Sequence, residues 1–176
     1  MFDYISEEYL SNAHIEKLQD FQCKDEIQVE TFLKEEAFPL MERNLVRTRL
    51  FFDQQKNLIG FYSLFNDTIK MNKQKRKQLD INLPDKVKEI PAIRLHYIGV
   101  DNRYRKNNYG LYIMSSVLYH TALVAKISGC PLIIVESTKN ARAFYEKFDF
   151  TYICPKDSYY IYSLNTKYFA GLVENR

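Results

Sequence analysis

The stretch Ile98-Gly-Val-Asp-Asn-Arg-Tyr-Arg-Lys-Asn-Asn-Tyr-Gly-Leu111 passes from an apolar run through a polar, basic turn into a long helical pattern. Residues 92–100 read as a strand, 101–110 as a turn, and 111–128 as a helix stopped by Gly129. A helix N-terminus offers backbone N–H groups and the positive end of a dipole. A basic turn placed there suits an anionic phosphate.

Downstream, residues 131–137 form a short, nearly all-apolar run, the pattern of a strand buried on both faces. Helical spacing follows over 139–148, then two short strands at 151–154 and 159–164 around Pro155-Lys-Asp157. Upstream, Ile15, Leu18 and Phe21, and later Val29, Phe32, Leu33 and Phe38, recur at helical intervals and predict two short helices joined near Cys23 to Asp25. Residues 48–52 and 58–68 flank the polar loop 53–57 and predict an antiparallel hairpin. Between this hairpin and the strand at 92, Lys70, Lys73, Lys75, Arg76 and Lys77 crowd one window without an acid, and Pro84 follows. That segment, 70–90, reads as an exposed inserted helix or loop. The alternation of strands and helices implies a mixed α/β sheet, and the 176 residues imply a single domain.

Composition sets wider limits. With 46% hydrophobic residues the chain can bury a core, which excludes disordered and collagen-like classes. A net charge of +3, from 25 basic and 22 acidic residues, is too small to make nucleic acid the default partner, although a local basic patch is compatible with it. Cys23, Cys130 and Cys154 are scattered and odd in number, as expected of reduced thiols in a cytoplasm, and neither they nor His14 and His120 stand at metal-ligand spacing. The N-terminus carries Asp3, Glu7 and Glu8 and lacks a signal-peptide pattern. Residues 111–127 are interrupted by Ser115, Ser116, His120, Thr121 and Lys126, so no membrane span is expected. Five scattered glycines exclude both a P-loop and a dinucleotide fingerprint.

Two motifs carry a family resemblance. Arg105-x-x-Asn108-x-Gly110 resembles the (Gln/Arg)-x-x-Gly-x-(Gly/Ala) signature of the GNAT superfamily of N-acetyltransferases, with Asn108 at the position of the family's glycine. Asn is one of the few side chains that tolerate φ > 0. Asn140-Ala-Arg-Ala-Phe-Tyr-Glu-Lys-Phe-Asp-Phe150 resembles the family's later Phe-Tyr-Glu-Lys-x-Gly-Phe helix, with Asp149 replacing the glycine. The two motifs fall within residues 92–165, the best-matching part of the chain.

The resemblance implies a GNAT-type fold: a mixed, mostly antiparallel α/β sheet of six to seven strands flanked by helices on both faces. It implies acetyl-CoA as acetyl donor, held by Ile98, Gly99, Val100, Arg105, Lys106, Asn107, Asn108, Tyr109, Gly110 and Leu111, with Asn140 and Phe144 from the later helix. It also implies Tyr145 as the acid that reprotonates the leaving thiolate. Gly99 falls where the family's strand commonly bulges. An amine acceptor must lose a proton before it attacks. His96, sharing a strand face with Arg94, Ile98 and Val100, is one candidate base, since an unperturbed imidazole titrates near ~6.5; Glu136 is another.

Each of these residues also has a plainer reading: Tyr145 packed among aromatic rings, His96 satisfied by hydrogen bonds, Glu136 a cap or solvent-facing acid. The acceptor is open between a small amine, a protein amine and charged tRNA. The helical opening, the Ile59-Gly-Phe-Tyr-Ser-Leu64 strand and the long insertion resemble the branch of acetyltransferase toxins that modify aminoacyl-tRNA. A homodimer is admitted. A non-catalytic acetyl-CoA-binding sensor or interaction module is the reading from another class.

Overall fold

The computed structural model describes residues 4–84 and 86–173; Asp3, among the N-terminal acids, lies outside them. The element order is β1 (Ser6–Tyr9), α1 (Ile15–Leu18), α2 (Ile27–Thr31), α3 (Ala37–Glu42), β2 (Arg47–Phe52), β3 (Leu58–Lys70), α4 (Lys73–Gln78), β4 (Glu89–Val100), α5 (Tyr109–Ser128), β5 (Leu132–Ser137), α6 (Arg142–Glu146), β6 (Thr151–Lys156) and β7 (Tyr159–Asn165). Seven strands form a mixed sheet in the order β1-β2-β3-β4-β5-β7-β6. The chain divides into two compact units, Met1–Phe65 with His96–Val117, and Asn66–Leu95 with Leu118–Arg176.

In the first unit, β2 pairs antiparallel with both β1 and β3, in registers such as Glu7↔Phe51 and Leu50↔Phe61. The apolar faces of these strands meet the helical opening in a core of Leu18, Phe21, Phe32, Leu33, Leu50, Phe52 and Phe61. Phe21 and Phe61 meet edge to face at 5.5 Å. Burying each such ring contributes roughly 1.5–3 kcal/mol, which is how four-to-six-residue helices with little stability of their own are held. A π turn, Phe32–Glu36, joins α2 to α3. It precedes Pro39, which has no N–H to donate back to the preceding turn, and a widened turn absorbs the misfit.

Strand β1 was not legible in the sequence, because Ser6-Glu-Glu-Tyr9 has no apolar alternation. Its inner acid is held by polar contacts instead. Glu7 accepts hydrogen bonds from Tyr62 Oη at 3.3 Å and Ser116 Oγ at 2.8 Å, and pairs with Arg49 at 3.3 Å.

In the second unit, β4 runs parallel to β5, β5 antiparallel to β7, and β7 antiparallel to β6, with an irregularity between Tyr152 and Cys154. Leu132, Ile133, Ile134 and Val135 are all buried, as a strand covered on both faces requires. The segment after β3 departs from the sequence expectation in one respect. Helix α4 is polar, but Leu79 and Ile81 behind it are buried with Ile90, Leu132 and Ile153, and Asn165 Nδ2 donates to the Leu79 carbonyl at 2.9 Å. The insertion is therefore anchored at its C-terminal end. The cause is the pair of apolar residues, spaced by one, that closes a basic helix.

Helix α5 is 20 residues long, and by length and composition it could cross a membrane. Its buried residues Ile113, Met114, Val117, Thr121 and Ala122 recur at three- and four-residue steps, the stripe of a core helix. Gly129, at φ +70°, ends it.

Candidate functional site

The turn between β4 and α5 is built around Asp101, whose side chain is fully buried. Its carboxylate accepts from the Gln22 amide at 2.9 Å, the Arg103 amide at 2.9 Å, Arg103 Nε at 2.8 Å and Arg103 Nη2 at 3.0 Å. Burial pushes the Asp101 carboxyl up, but the bonds from Arg103 and Gln22 and the Arg103 charge together outweigh it and hold the group below the ordinary aspartate range. The Asp101 amide donates to the Ile59 carbonyl at 2.8 Å, and the Asn102 amide to Gln22 O at 2.9 Å. Tyr104 Oη donates to Asp53 at 2.7 Å, fastening the turn to the β2–β3 loop. Burial and the Asp53 carboxylate push the Tyr104 phenol up to about 12. The sequence reading did not single out Asp101 and Tyr104 as anchors. An Asp directly after an apolar strand and before a short helix is the N-cap signal that marks the first of them.

Beyond this anchored part the backbone turns left-handed twice, at Lys106 (φ 65°) and Asn108 (φ 62°). Asn108 occupies the position of the family's glycine, and it has the conformation for which glycine is usually required. Lys106, Asn107 and Asn108 are exposed. The Asn108 carbonyl accepts from Leu111 at 3.0 Å and Tyr112 at 3.2 Å, which starts α5 and leaves the preceding amides outside the helical ladder. Tyr109 and Gly110 are the first two residues of this helix, and Leu111 is exposed.

Arg105, expected from the resemblance to contact the cofactor, also makes contacts within the protein. Its guanidinium pairs with Asp25, donates to Cys23 Sγ at 3.2 Å, and reaches the Val100 carbonyl at 3.5 Å. It ties the turn to the segment before α2. Burial pushes the Cys23 thiol up despite this neighbouring charge, so it is a structural thiol.

Gly99 is needed for space. A Cβ there would lie 2.7 Å from Val29 Cγ1 and 3.0 Å from Phe61, and one on Gly60 would run into the Gly99 carbonyl. Ile98 and Val100 on either side are half-buried. His96 meets Phe32 and Phe65 edge to face, with centroids 5.0 and 5.2 Å away, and lies 4.5 Å from the Tyr97 ring.

In the second unit, α6 carries the other motif. Tyr145 is buried, 5.3 Å from the Phe144 ring and 5.8 Å from the Phe150 ring. Its carbonyl accepts from Phe148 and Phe150, and Asp149 sits at φ 61° where the helix ends. This is the left-handed residue of a helix stop, which explains why glycine suits that position. Asn140 is exposed in the turn before α6. Glu136 is no isolated base: Arg94 at 2.6 Å and Lys156 at 2.7 Å both engage it, and Arg94 also pairs with Asp67 at 2.5 Å.

No family model and no curated protein matches the chain. Solved structures do. A tyrosine-to-phenylalanine mutant of KacT matches with a TM-score of 0.80 at 20% identity, over 96% of this chain and 98% of that one. AtaT complexed with acetyl-methionyl-tRNAfMet matches with a TM-score of 0.80 at 18% identity, over 96% and 99%. A tyrosine-to-phenylalanine mutant of the AtaT toxin, bound to the C-terminus of the antitoxin AtaR and acetyl-CoA, matches with a TM-score of 0.74 at 16% identity, over 98% and 100%. The chain has the GNAT-type fold of these toxins, as its two motifs led us to expect.

Proposed function

We propose that the chain is an acetyl-CoA-dependent N-acetyltransferase whose acceptor is the amino group of an aminoacyl-tRNA. One observation carries this reading: the exposed turn before α5 is left-handed at Lys106 and Asn108. Successive backbone amides in such a turn form a cradle for an anion, so Lys106 to Gly110 would hold the pyrophosphate of acetyl-CoA. Asn108 and Asp149 keep the conformations that glycine would supply, which supports an intact turn and helix stop at the two positions that depart from the motifs. The acceptor is supported by the likeness, over nearly the whole chain, to a toxin solved with an acetylated aminoacyl-tRNA.

In the reaction the neutral amine attacks the thioester carbonyl, a C–N bond forms and the C–S bond breaks. The departing thiolate takes the Tyr145 hydroxyl proton, and the phenolate is reprotonated from solvent. Tyr145 is the acid in this scheme. Its support is the motif it occupies, together with its fixed position among Phe144 and Phe150. The ring contacts of His96 with Phe32, Phe65 and Tyr97 support a packing role, and the double ion pair of Glu136 a structural one; in this scheme the acceptor proton passes to water.

A thiol-release assay over small amines, a basic peptide and a set of aminoacyl-tRNAs tests the proposal. Release with charged tRNA alone supports it, release with small amines alone redirects it to another acceptor, and no release with any acceptor contradicts it.

A further inference from the structure

The basic segment after β3 builds a pocket. It measures about 570 Å³ and is lined by Lys73, Arg76, Lys77 and Asp80, with residues 81–84 completing its wall. Spaced i, i+3, i+4, the three cations share one face of α4, an arrangement that repels itself unless an anion joins it. The neighbouring basic residues are already in use. Lys70 pairs with Glu89 at 3.1 Å, and Lys75 donates to the Tyr152 carbonyl at 2.7 Å and to Gln78 at 3.2 Å. The lining acid is neutralised too, since Asp80 pairs with Lys167. Among the described residues Lys73, Arg76 and Lys77 have no ion-pair partner, and Arg76 Nε is buried without a hydrogen-bond acceptor. A buried guanidinium N–H left in that state is unfavourable, and an anion entering the pocket satisfies it. Leu79 and Ile81, packed in the core behind α4, hold the wall in place.

We propose that this pocket binds the phosphodiester backbone of an RNA. The choice of RNA over an acidic peptide rests on the acceptor reading above, because that reaction brings a polyanion to the protein. Arg76 supplies the forked contact to a phosphate and the two lysines supply point charges.

The test is fluorescence anisotropy of an uncharged tRNA transcript on the full chain, with log Kd followed against log salt. Lys73→Ala/Arg76→Ala/Lys77→Ala is expected to flatten the salt slope by about two to three units, and Arg76→Ala alone by about one. Lys73 and Lys77 are exposed, so Lys73→Ala/Lys77→Ala keeps the fold and is expected to flatten the slope by about one to two. An unchanged slope in the double variant overturns the pocket, as does an unmodified protein that binds no tRNA. A poly-glutamate peptide whose binding needs the three cations while tRNA binding does not also overturns it. If tRNA binding depends on the pocket but no thiol is released with charged tRNA, the acceptor reading fails and the RNA site stands.

Discussion

Lys106 and Asn108, two residues apart, both hold their backbone in the left-handed region, at φ 65° and 62°, and together they fold the exposed turn back ahead of α5. A β-branched side chain resists that conformation by about 1–2 kcal/mol, whereas glycine adopts it freely. Asn108→Gly is therefore expected to fold within about 1 kcal/mol of the parent and keep acetyl-CoA affinity. Asn108→Val is expected to lose about 1–2 kcal/mol of stability and to weaken binding at least tenfold. Denaturant unfolding and calorimetry on the three proteins check this. Equal affinity for Val and Gly would detach the turn from the cofactor.

Asp101 supplies a pH signature. Its carboxyl is held below the ordinary aspartate value by Arg103 and Gln22, against the effect of burial. A group whose folded-state pKa is depressed adds stability above its unfolded pKa, about 3.8–3.9, and loses it as pH falls through the folded value. The contribution is thus complete at neutral pH and disappears below about pH 4. Asp101→Asn is expected to cost about 1–3 kcal/mol at pH 7 and to flatten the acid limb of a stability profile. A variant with an unaltered acid limb would show that Asp101 does not anchor the turn.

Close packing at Gly60 and Gly99 is expected to be intolerant of one methyl group. Gly99→Ala drives a Cβ toward Val29 and Phe61, and Gly60→Ala drives one into backbone. Side chains yield more easily than a carbonyl, so Gly60→Ala is expected to be the worse of the two, each losing about 1–3 kcal/mol or more. Val29→Ala in the Gly99→Ala background should recover part of the loss. Thermal unfolding of the single and double variants reads this directly.

These positions show how much was legible. Residues that change hydrophobic period, such as 98–111 and 131–137, announced their elements, and the two motifs announced the fold. The left-handed conformation at Asn108 was legible because Asn stood at a glycine position; those at Lys106 and Asp149 were not singled out. Strand β1 was hidden because its stability comes from Glu7 bonding to Arg49, Tyr62 and Ser116, contacts distant in sequence. The contacts of Arg105 were hidden for a similar reason: its partner Asp25 lies 80 residues away, and a basic residue in a turn shows its charge but not its direction.

Tyr145→Phe separates chemistry from ring packing, because phenylalanine keeps the ring contacts with Phe144 and Phe150 and removes the hydroxyl that would donate the proton. Turnover is expected to fall about 100-fold or more, with acetyl-CoA affinity unchanged. His96→Phe, placed among Phe32, Phe65 and Tyr97, is expected to retain turnover and its pH profile. Loss of the pH dependence in His96→Phe would return the base role to His96.

If the turn ahead of α5 holds acetyl-CoA, the cofactor binds the unmodified protein and depends on the backbone at Asn108. Calorimetric titration of the unmodified protein with acetyl-CoA, alongside Asn108→Val, tests it most directly. Saturable one-to-one binding that weakens at least tenfold in the variant is the expected result; no binding to the unmodified protein would contradict the account.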